Sequence, residues 1–308
     1  MLTYLTRRVL LLIPVMIGVS LITFFLLYFV PGDVATTIVG DRASDEAIEK
    51  VRAELGLDDP FHQRYISYMS NAIRGDLGKS YINHRRVADE IKRRFPVTIK
   101  LASLSFLITV VVGTTVGIIS AVKQNTLLDR FVRSITLIGV STPVIFFGLL
   151  MMYIFGVWLK ILPVSGIGNG SFKYFILPST VLGLNSAVFN ARLTRSCMLE
   201  VIRQDYIRTA RSKGLSERVV IYKHALRNAM IPIITNMIMT IGLLLVGSAL
   251  TEIVFSLPGI GSYTMQAVFA RDIPVVMGCF LFQAFIFVFA NLFVDIAYAI
   301  VNPRIKFN

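Results

Sequence analysis

Residues 9–30 read VLLLIPVMIGVSLITFFLLYFV, a run of 22 mostly apolar residues that follows Arg7 and Arg8. A helix needs about 20 such residues to cross the hydrocarbon layer of a bilayer. The apolar core of a secretory signal peptide is shorter and ends at a small-residue cleavage site. This run ends instead in the turn sequence VPGD at 30–33. It therefore predicts a first membrane-spanning helix rather than a cleaved leader.

Five further apolar runs follow, and each predicts another spanning helix. The whole chain is 55% hydrophobic and 16% charged, whereas soluble domains are about 25% charged. The predicted fold is therefore an all-α polytopic membrane protein with six transmembrane helices, which place both termini on the same side of the membrane. The five runs lie at 97–122, 132–158, 175–196, 229–254 and 274–300.

The distribution of Lys and Arg predicts the side of the membrane on which each loop lies. The formal net charge is +13, and cytoplasmic loops of membrane proteins carry an excess of basic residues. If the N-terminus is cytoplasmic, the cytoplasmic segments hold 16 basic residues and the two short outer loops hold three. We therefore expect a multi-pass protein of the cytoplasmic (inner) membrane with both termini in the cytoplasm.

The polar stretch 31–96 predicts a small helical domain outside the cytoplasm, between the first two spans. It holds 11 basic and 11 acidic residues and is neutral overall. Ser44 is placed to cap a helix that ends before Gly56, and Pro60 is placed to start a second helix that ends at Gly75. A third helix is indicated by the spacing of Val87, Ile91 and Phe95.

The longest predicted cytoplasmic segment, 197–231, contains two amphipathic stretches. Gly214 is expected to take a left-handed conformation after the first helix, and Ser216 is placed to cap the second. This pair of helices is basic on one side and apolar on the other, and it is too short to build its own core. Its apolar face therefore needs a partner, either the rest of the bundle or another protein. That face carries Leu199, Ile202, Tyr206, Ile207 and Ala210.

A basic helix-turn-helix is also a way to contact DNA. This segment is tethered to predicted spans at both of its ends, which favours a surface helix pair that docks onto a cytoplasmic protein. The basic charge of the whole chain is accounted for by its cytoplasmic loops, so we expect no nucleic-acid partner.

The same segment resembles a loop of ABC importer permeases that has the pattern E-A-A-x3-G-x9-I-x-L-P. Here Arg208-Thr209-Ala210 occupy the E-A-A positions, Gly214 is the glycine, and His224-Ala225-Leu226-Arg227 replace I-x-L-P. The spacing matches fully and the residues partly. These departures are typical of the dipeptide, oligopeptide, nickel and glutathione branch, and of its first (B-type) permease. Further matches are VPGD at 30–33, LGLDDP at 55–60, GDLGKS at 75–80, ARLTRSCMLEV at 191–201, LPGIG at 257–261 and NPRI at 302–305.

The resemblance implies a role for this loop and a set of partners. It implies that the loop docks in a groove of an ATPase subunit and transmits the closure of that subunit to the spanning helices. The pore then opens to one side of the membrane at a time, by alternating access. It also implies a second homologous permease subunit, two cytoplasmic ATPase subunits or domains, an extracytoplasmic solute-binding protein and a peptide-like substrate in a lipid membrane. The residues that it assigns to the coupling loop are Asp205, Arg208, Thr209, Ala210, Gly214, Leu215, His224, Leu226 and Arg227.

On this interpretation the chain has three parts. Residues 1–30 form an N-terminal cytoplasmic segment and the first transmembrane helix, and residues 31–96 form the extracytoplasmic helical domain. Residues 97–308 form a five-helix permease core with the coupling loop at 197–231.

We expect no catalytic, cofactor or metal site in this chain. The sequence has no G-x-x-x-x-G-K-[ST] phosphate loop, so ATP and Mg are expected to be bound by partner ATPase subunits. Its three histidines, His62, His84 and His224, are scattered over both sides of the predicted topology. Which residues bind the substrate is not indicated.

Two other classes of protein remain as alternatives. An ion- or proton-coupled secondary transporter needs charges or broken helices near the membrane midplane, and the main candidate, Asp295, is expected to pair with Arg192 or Arg195. A membrane-embedded enzyme needs a catalytic constellation, and none is apparent. A gene neighbourhood that encodes a second permease and an ATPase would favour the importer.

Overall fold

The computed structural model describes residues 2–29, 34–40 and 43–301. Throughout these ranges the fold is helical, and the one β-bridge, between Lys79 and Arg86, is isolated. The prediction of an all-α fold is therefore confirmed. The N-terminal helices are α1 (Leu2–Phe29), α2 (Val34–Val39), α3 (Asp45–Glu54) and α4 (Phe61–Ile73).

The remaining helices form the apolar bundle and its loops. Three stretches are long and apolar enough to cross a membrane, at Val87–Val122, Glu217–Val246 and Ile273–Phe293, and a bent pair of helices raises that number to four. The count of six spans thus stays a prediction. The helices are α5 (Val87–Ile108), α6 (Thr114–Val122), α7 (Leu127–Ser141), α8 (Val144–Met151), α9 (Lys173–Ile202), α10 (Asp205–Ser212), α11 (Glu217–Val219), α12 (Leu226–Val246), α13 (Ala249–Val254), α14 (Ile260–Phe269) and α15 (Ile273–Val301).

The run predicted at 132–158 is not one straight helix. It is α7 followed by α8 and a π-helical segment at Met152–Trp158, with a bend of 105° between the two halves. Pro143 causes the break, because proline disfavours the helical conformation of the residue before it. Thr142 accordingly is extended, with φ −88° and ψ 120°.

The run predicted at 229–254 is likewise divided. Helix α12 ends at Val246, and Gly247 follows with φ +105°. A positive φ is readily accepted by glycine and ends the helix. The short helix α13 then begins a separate hairpin with α14, so the run at 229–254 covers one long apolar helix and half of this hairpin.

The helices predicted within 31–96 form, but this segment is continuous with the bundle. Ser44 accepts a hydrogen bond from the amide of Ala47 at the start of α3, and Gly75 ends α4 with φ +84°. The third helix is not separate, because α5 begins at Val87 and continues through Pro96 into the membrane span. The boundary predicted at 96/97 therefore falls inside a continuous helix.

Two sets of contacts hold the segment between α1 and α5 in place. Phe24 of α1 packs against Phe61 and Tyr65 of α4, with ring centroids 5.1 and 5.6 Å apart. Beyond α4, the hydroxyl of Ser80 donates a hydrogen bond to Asp272 in the turn before α15, and the amide of Tyr81 donates another at 3.1 Å. The segment is thus fastened at both ends to helices of the bundle.

Candidate functional site: the coupling loop and its supports

The coupling loop is a helix, a glycine turn and a second helix, as predicted. Helix α10 is followed by Gly214, which has φ +76°, and the chain continues through α11 and a π-helical segment at Val220–Ala225 into α12 without a break. Ser216 lies at the N-cap position of α11, but its side chain makes no capping hydrogen bond. That detail of the prediction was wrong, and only the backbone carbonyl of Ser216 is engaged, by the amide of Val220.

The apolar side of the loop packs against the protein's own bundle. Ile207 is fully buried, and Ala210 is 7% exposed. They belong to a cluster, here called the coupling core, that joins the loop to the ends of α6, α9 and α12. Its buried members are Ile118, Ala121, Met198, Ile207, Ala210, Val220, Ile221, Ala225, Ala229, Ile233 and Met237.

The opposite side of α10 faces solvent and is polar. The side chains of Asp205 and Arg208 are almost fully exposed, and a weak ion pair of 3.9 Å joins them. Arg211 pairs with Glu217 across the Gly214 turn at 2.6 Å, which links α10 to α11. Because the apolar face is already covered by the bundle, this charged surface is the part of α10 that remains accessible.

The other residues that the resemblance assigned to the loop divide between the two sides. Ala210 lies in the coupling core, and Leu226 packs against it. His224 is half-buried. The structure places the rest on the exposed surface: Asp205, Arg208, Thr209, Gly214, Leu215 and Arg227.

One positioning residue of the loop was missed from the sequence. The side-chain amide of Asn228 donates hydrogen bonds to the hydroxyl of Tyr206, at 2.9 Å, and to the carbonyl of His224. It therefore ties the first helix of the loop to the start of α12. The signal in the sequence was slight, since an Asn in a basic segment has no distinctive spacing.

A buried ion pair supports the loop from behind. Asp129 is completely buried at the start of α7, and Arg195 of α9 donates to its two carboxylate oxygens from Nε and Nη2, at 2.9 and 3.0 Å. The hydroxyl of Ser120, from α6, donates to the same carboxylate at 2.6 Å. Three helices thus meet at one carboxyl group. The predicted pairing of Asp295 with Arg192 or Arg195 concerns a carboxylate whose side chain lies outside the described residues.

Two glycines allow α6 and α9 to approach closely. A Cβ at Gly113 would lie 2.8 Å from the carbonyl oxygen of Ala187, and a Cβ at Gly117 would lie 2.6 Å from Cβ of Thr194. Small residues four apart are a common device for close helix packing in membranes. This spacing is visible in the sequence but was not used in the prediction.

On the opposite side of the bundle, Glu252 organises the hairpin of α13 and α14. Its carboxylate is fully buried and accepts hydrogen bonds from the Thr98 hydroxyl, at 2.9 Å, and from the Ser262 amide, at 2.7 Å. The oxygen of Thr98 in turn accepts from the amide of Ile260 at 2.9 Å.

The helical bundle and its short helix pair define the membrane-spanning subunit of an ABC importer. Family models cover nearly the whole chain and agree. Residues 113–307 match the model described as the inner membrane component of binding-protein-dependent transport systems, and residues 1–102 match the N-terminal model of such membrane components. The chain belongs to this family of permeases.

Relatives that match over their full length carry related names. The dipeptide transport system permease protein DppB of Alkalihalophilus pseudofirmus is 41% identical, and the glutathione transport system permease protein GsiC of Escherichia coli K12 is 42% identical; each alignment covers 100% of both chains. A putative peptide transport system permease of Brucella abortus is 42% identical over 98% of each chain.

A solved structure supports the fold. The MetNI methionine ABC transporter, in an inward-facing conformation, matches with a TM-score of 0.56 and 20% identity over 69% of this chain and 96% of the matched chain. Together with the family, this favours the importer over the secondary transporter that the sequence had left open.

Proposed function

We propose that this chain is one of two homologous permease subunits of an importer for peptides or peptide-like solutes such as glutathione or a nickel chelate. The names of the full-length relatives support this class of solute. The observation that carries the proposal is the geometry of the coupling loop, whose polar face is exposed and whose apolar face is built into the bundle.

This geometry provides a mechanical route from the loop to the translocation path. Ile207 and Ala210 of α10 pack in the coupling core against Met198 of α9 and Ile233 of α12. A close-packed interior transmits displacement rather than absorbing it. A movement of α10 by an attached protein therefore shifts the ends of several spans together, which is what alternating access requires.

The family to which the chain belongs supports the partners that we propose. Two cytoplasmic ATPase subunits or domains bind ATP and Mg, and the exposed face of α10, with Asp205, Arg208 and Thr209, meets one of them. The other permease completes the path between the two bundles. An extracytoplasmic solute-binding protein delivers the solute to the outer face, to which the segment 31–96 belongs. Both termini then lie in the cytoplasm.

Reconstitution of the whole complex tests the proposal. Proteoliposomes that contain both permeases, the ATPases and the binding protein are expected to accumulate a labelled dipeptide, glutathione or a nickel chelate when ATP is supplied. The purified chain alone is expected to show no ATP hydrolysis above background. Robust hydrolysis by the isolated chain, or uptake that follows an ion gradient without ATP, would contradict the proposal.

A further inference from the structure

A large cavity lies beside the buried ion pair, at the end of the bundle that carries the coupling loop. It has a volume of about 700 Å³ and opens between α7 and the last third of α9. Leu199, on its wall, also packs against the coupling core. The charged residues that line the cavity are Arg133, Arg192, Arg195, Arg203 and Glu200.

The positive charge of this cavity is only partly balanced. Asp129, behind the wall, is shared by Arg195 at 2.9 Å and Arg133 at 3.5 Å. Within the described ranges, Arg192 and Arg203 pair with no carboxylate, and both are exposed. Four guanidinium groups therefore face two carboxylates, which leaves an attractive site for an anion with several oxygen atoms.

Helix α7, which forms one wall of the cavity, carries exposed apolar residues. Leu137 lines the cavity and is 66% exposed, and elsewhere on α7 Phe131 and Ile138 are each 64% exposed. A basic cavity beside an exposed apolar helix face matches the two parts of a phospholipid, a phosphate headgroup and acyl chains. Basic pockets between helices at the cytoplasmic surface are known to suit anionic headgroups.

We propose that this cavity binds the phosphate headgroup of an anionic phospholipid of the cytoplasmic leaflet. Arg192 and Arg203 contact the phosphate, Arg195 is oriented by Asp129, and the apolar face of α7 contacts the acyl chains. This inference rests on the proposed function only for the placement of the coupling loop in the cytoplasm. A bound lipid would brace α7 against α9, next to the helices that the coupling core joins.

Lipid retention by the purified full chain tests the inference. The chain is incorporated into nanodiscs of phosphatidylcholine and phosphatidylglycerol, extracted in mild detergent, and the lipids that remain bound are identified by native mass spectrometry. We expect phosphatidylglycerol to be retained in preference to phosphatidylcholine. The double variant Arg192→Gln, Arg203→Gln is expected to lose roughly tenfold or more of that preference, because these two guanidinium groups in the cavity supply the charge that contacts the phosphate.

A matched control removes the same charge from the same side of the membrane. Lys123→Gln with Arg130→Gln changes two exposed residues that do not line the cavity, so its preference is expected to stay at the wild-type value. Arg195 is left in place in both variants, since its loss would strand a buried carboxylate. Equal elution volumes of all three proteins in gel filtration confirm that the variants fold.

Three outcomes would overturn the inference. The first is a wild-type chain that retains both lipids equally, and the second is an equal loss in the two double variants. The third is complete displacement of the lipid by inorganic phosphate, which would identify a site for small anions. Because lipid retention is measured without ATPases or solute, a failed transport assay leaves this result intact, and the reverse also holds.

Discussion

Thr98 and Glu252 are joined by a hydrogen bond of 2.9 Å between two buried side chains, although 154 positions separate them in the chain. The bond connects the long helix α5 to the α13–α14 hairpin. The same two side chains accept hydrogen bonds at the start of α14: Thr98 from the amide of Ile260, and Glu252 from the amide of Ser262. One carboxylate thus holds the hairpin against α5.

We predict that Glu252→Ala destabilises the hairpin. The substitution leaves the Thr98 hydroxyl and the Ser262 amide buried without an acceptor, and each such loss costs about 1–3 kcal/mol. The midpoint of thermal unfolding in detergent is expected to fall by several degrees, and cleavage by protease is expected to appear near Ser256–Pro258.

Glu49→Ala is the matched control, because Glu49 is an exposed glutamate of the outer helix α3. Its thermal midpoint and cleavage pattern are expected to match those of the wild type. An unchanged midpoint for Glu252→Ala as well would show that the buried carboxylate does not hold the hairpin.

We predict that Gly117→Ala separates α6 from α9. The added Cβ would lie 2.6 Å from Cβ of Thr194 and 2.7 Å from the carbonyl oxygen of Ala191, so the backbones must move apart. Overpacking of this kind costs about 1–3 kcal/mol. The yield of folded, monodisperse protein after extraction is the measurement, and it is expected to fall.

Gly18→Ala provides the comparison, since a Cβ at Gly18 of α1 meets nothing within 4 Å. This variant is expected to be extracted as efficiently as the wild type. Equal yields from both variants would mean that the helices tolerate a wider separation than the structure indicates.

The predicted orientation is tested by labelling. Asn71 is exposed on α4, and Arg218 is exposed in the coupling loop. In a chain without its native cysteines, we expect Asn71→Cys to react with an impermeant maleimide in intact spheroplasts, and Arg218→Cys to react only after permeabilisation. The reverse pattern would invert the topology that the distribution of basic residues predicts.

The sequence was informative where a local pattern determines the local structure. The apolar runs located most of the bundle, and the caps at Ser44 and Gly75 and the turn at Gly214 were recognisable from residue type alone. Helix boundaries were less accurate at Pro143 and Gly247, because an apolar run continues through a residue that bends or ends the helix. An apolar pattern indicates which residues are buried and not where the backbone bends, and the residues on both sides of these breaks are apolar.

Contacts between distant segments could not be predicted. Asp129 with Arg195, Glu252 with Thr98 and Ser80 with Asp272 are polar pairs far apart in the chain, and any of them has many plausible partners in the sequence. Each partner is selected by the packing of helices, which composition and spacing do not specify. Their burial also hides them, since a lone carboxylate near a span end is expected to face water.

The last prediction concerns Gly214, at the turn between the two helices of the coupling loop. Its φ is +76°, and a Cβ at this position would meet nothing within 4 Å. A substitution therefore causes no clash, and its cost comes from the backbone conformation, roughly 1 kcal/mol or more for a residue other than glycine. A β-branched residue is the least tolerant of positive φ. We predict that Gly214→Val inserts into the membrane normally but shifts α10 relative to α11, which weakens ATPase binding or lowers the transport per ATP hydrolysed.

Gly75→Val separates this effect from simple strain. Gly75 ends α4 with φ +84° and equally open surroundings, so the local cost is the same but lies in the outer segment. Co-purification of the ATPase and the ratio of solute imported to ATP hydrolysed are measured for both variants in the reconstituted complex. We expect a several-fold decrease in one of these for Gly214→Val, and wild-type ATPase binding for Gly75→Val. If Gly214→Val assembles and transports normally, the loop does not transmit the ATPase movement, because the turn that orients its two helices would then have no effect on coupling.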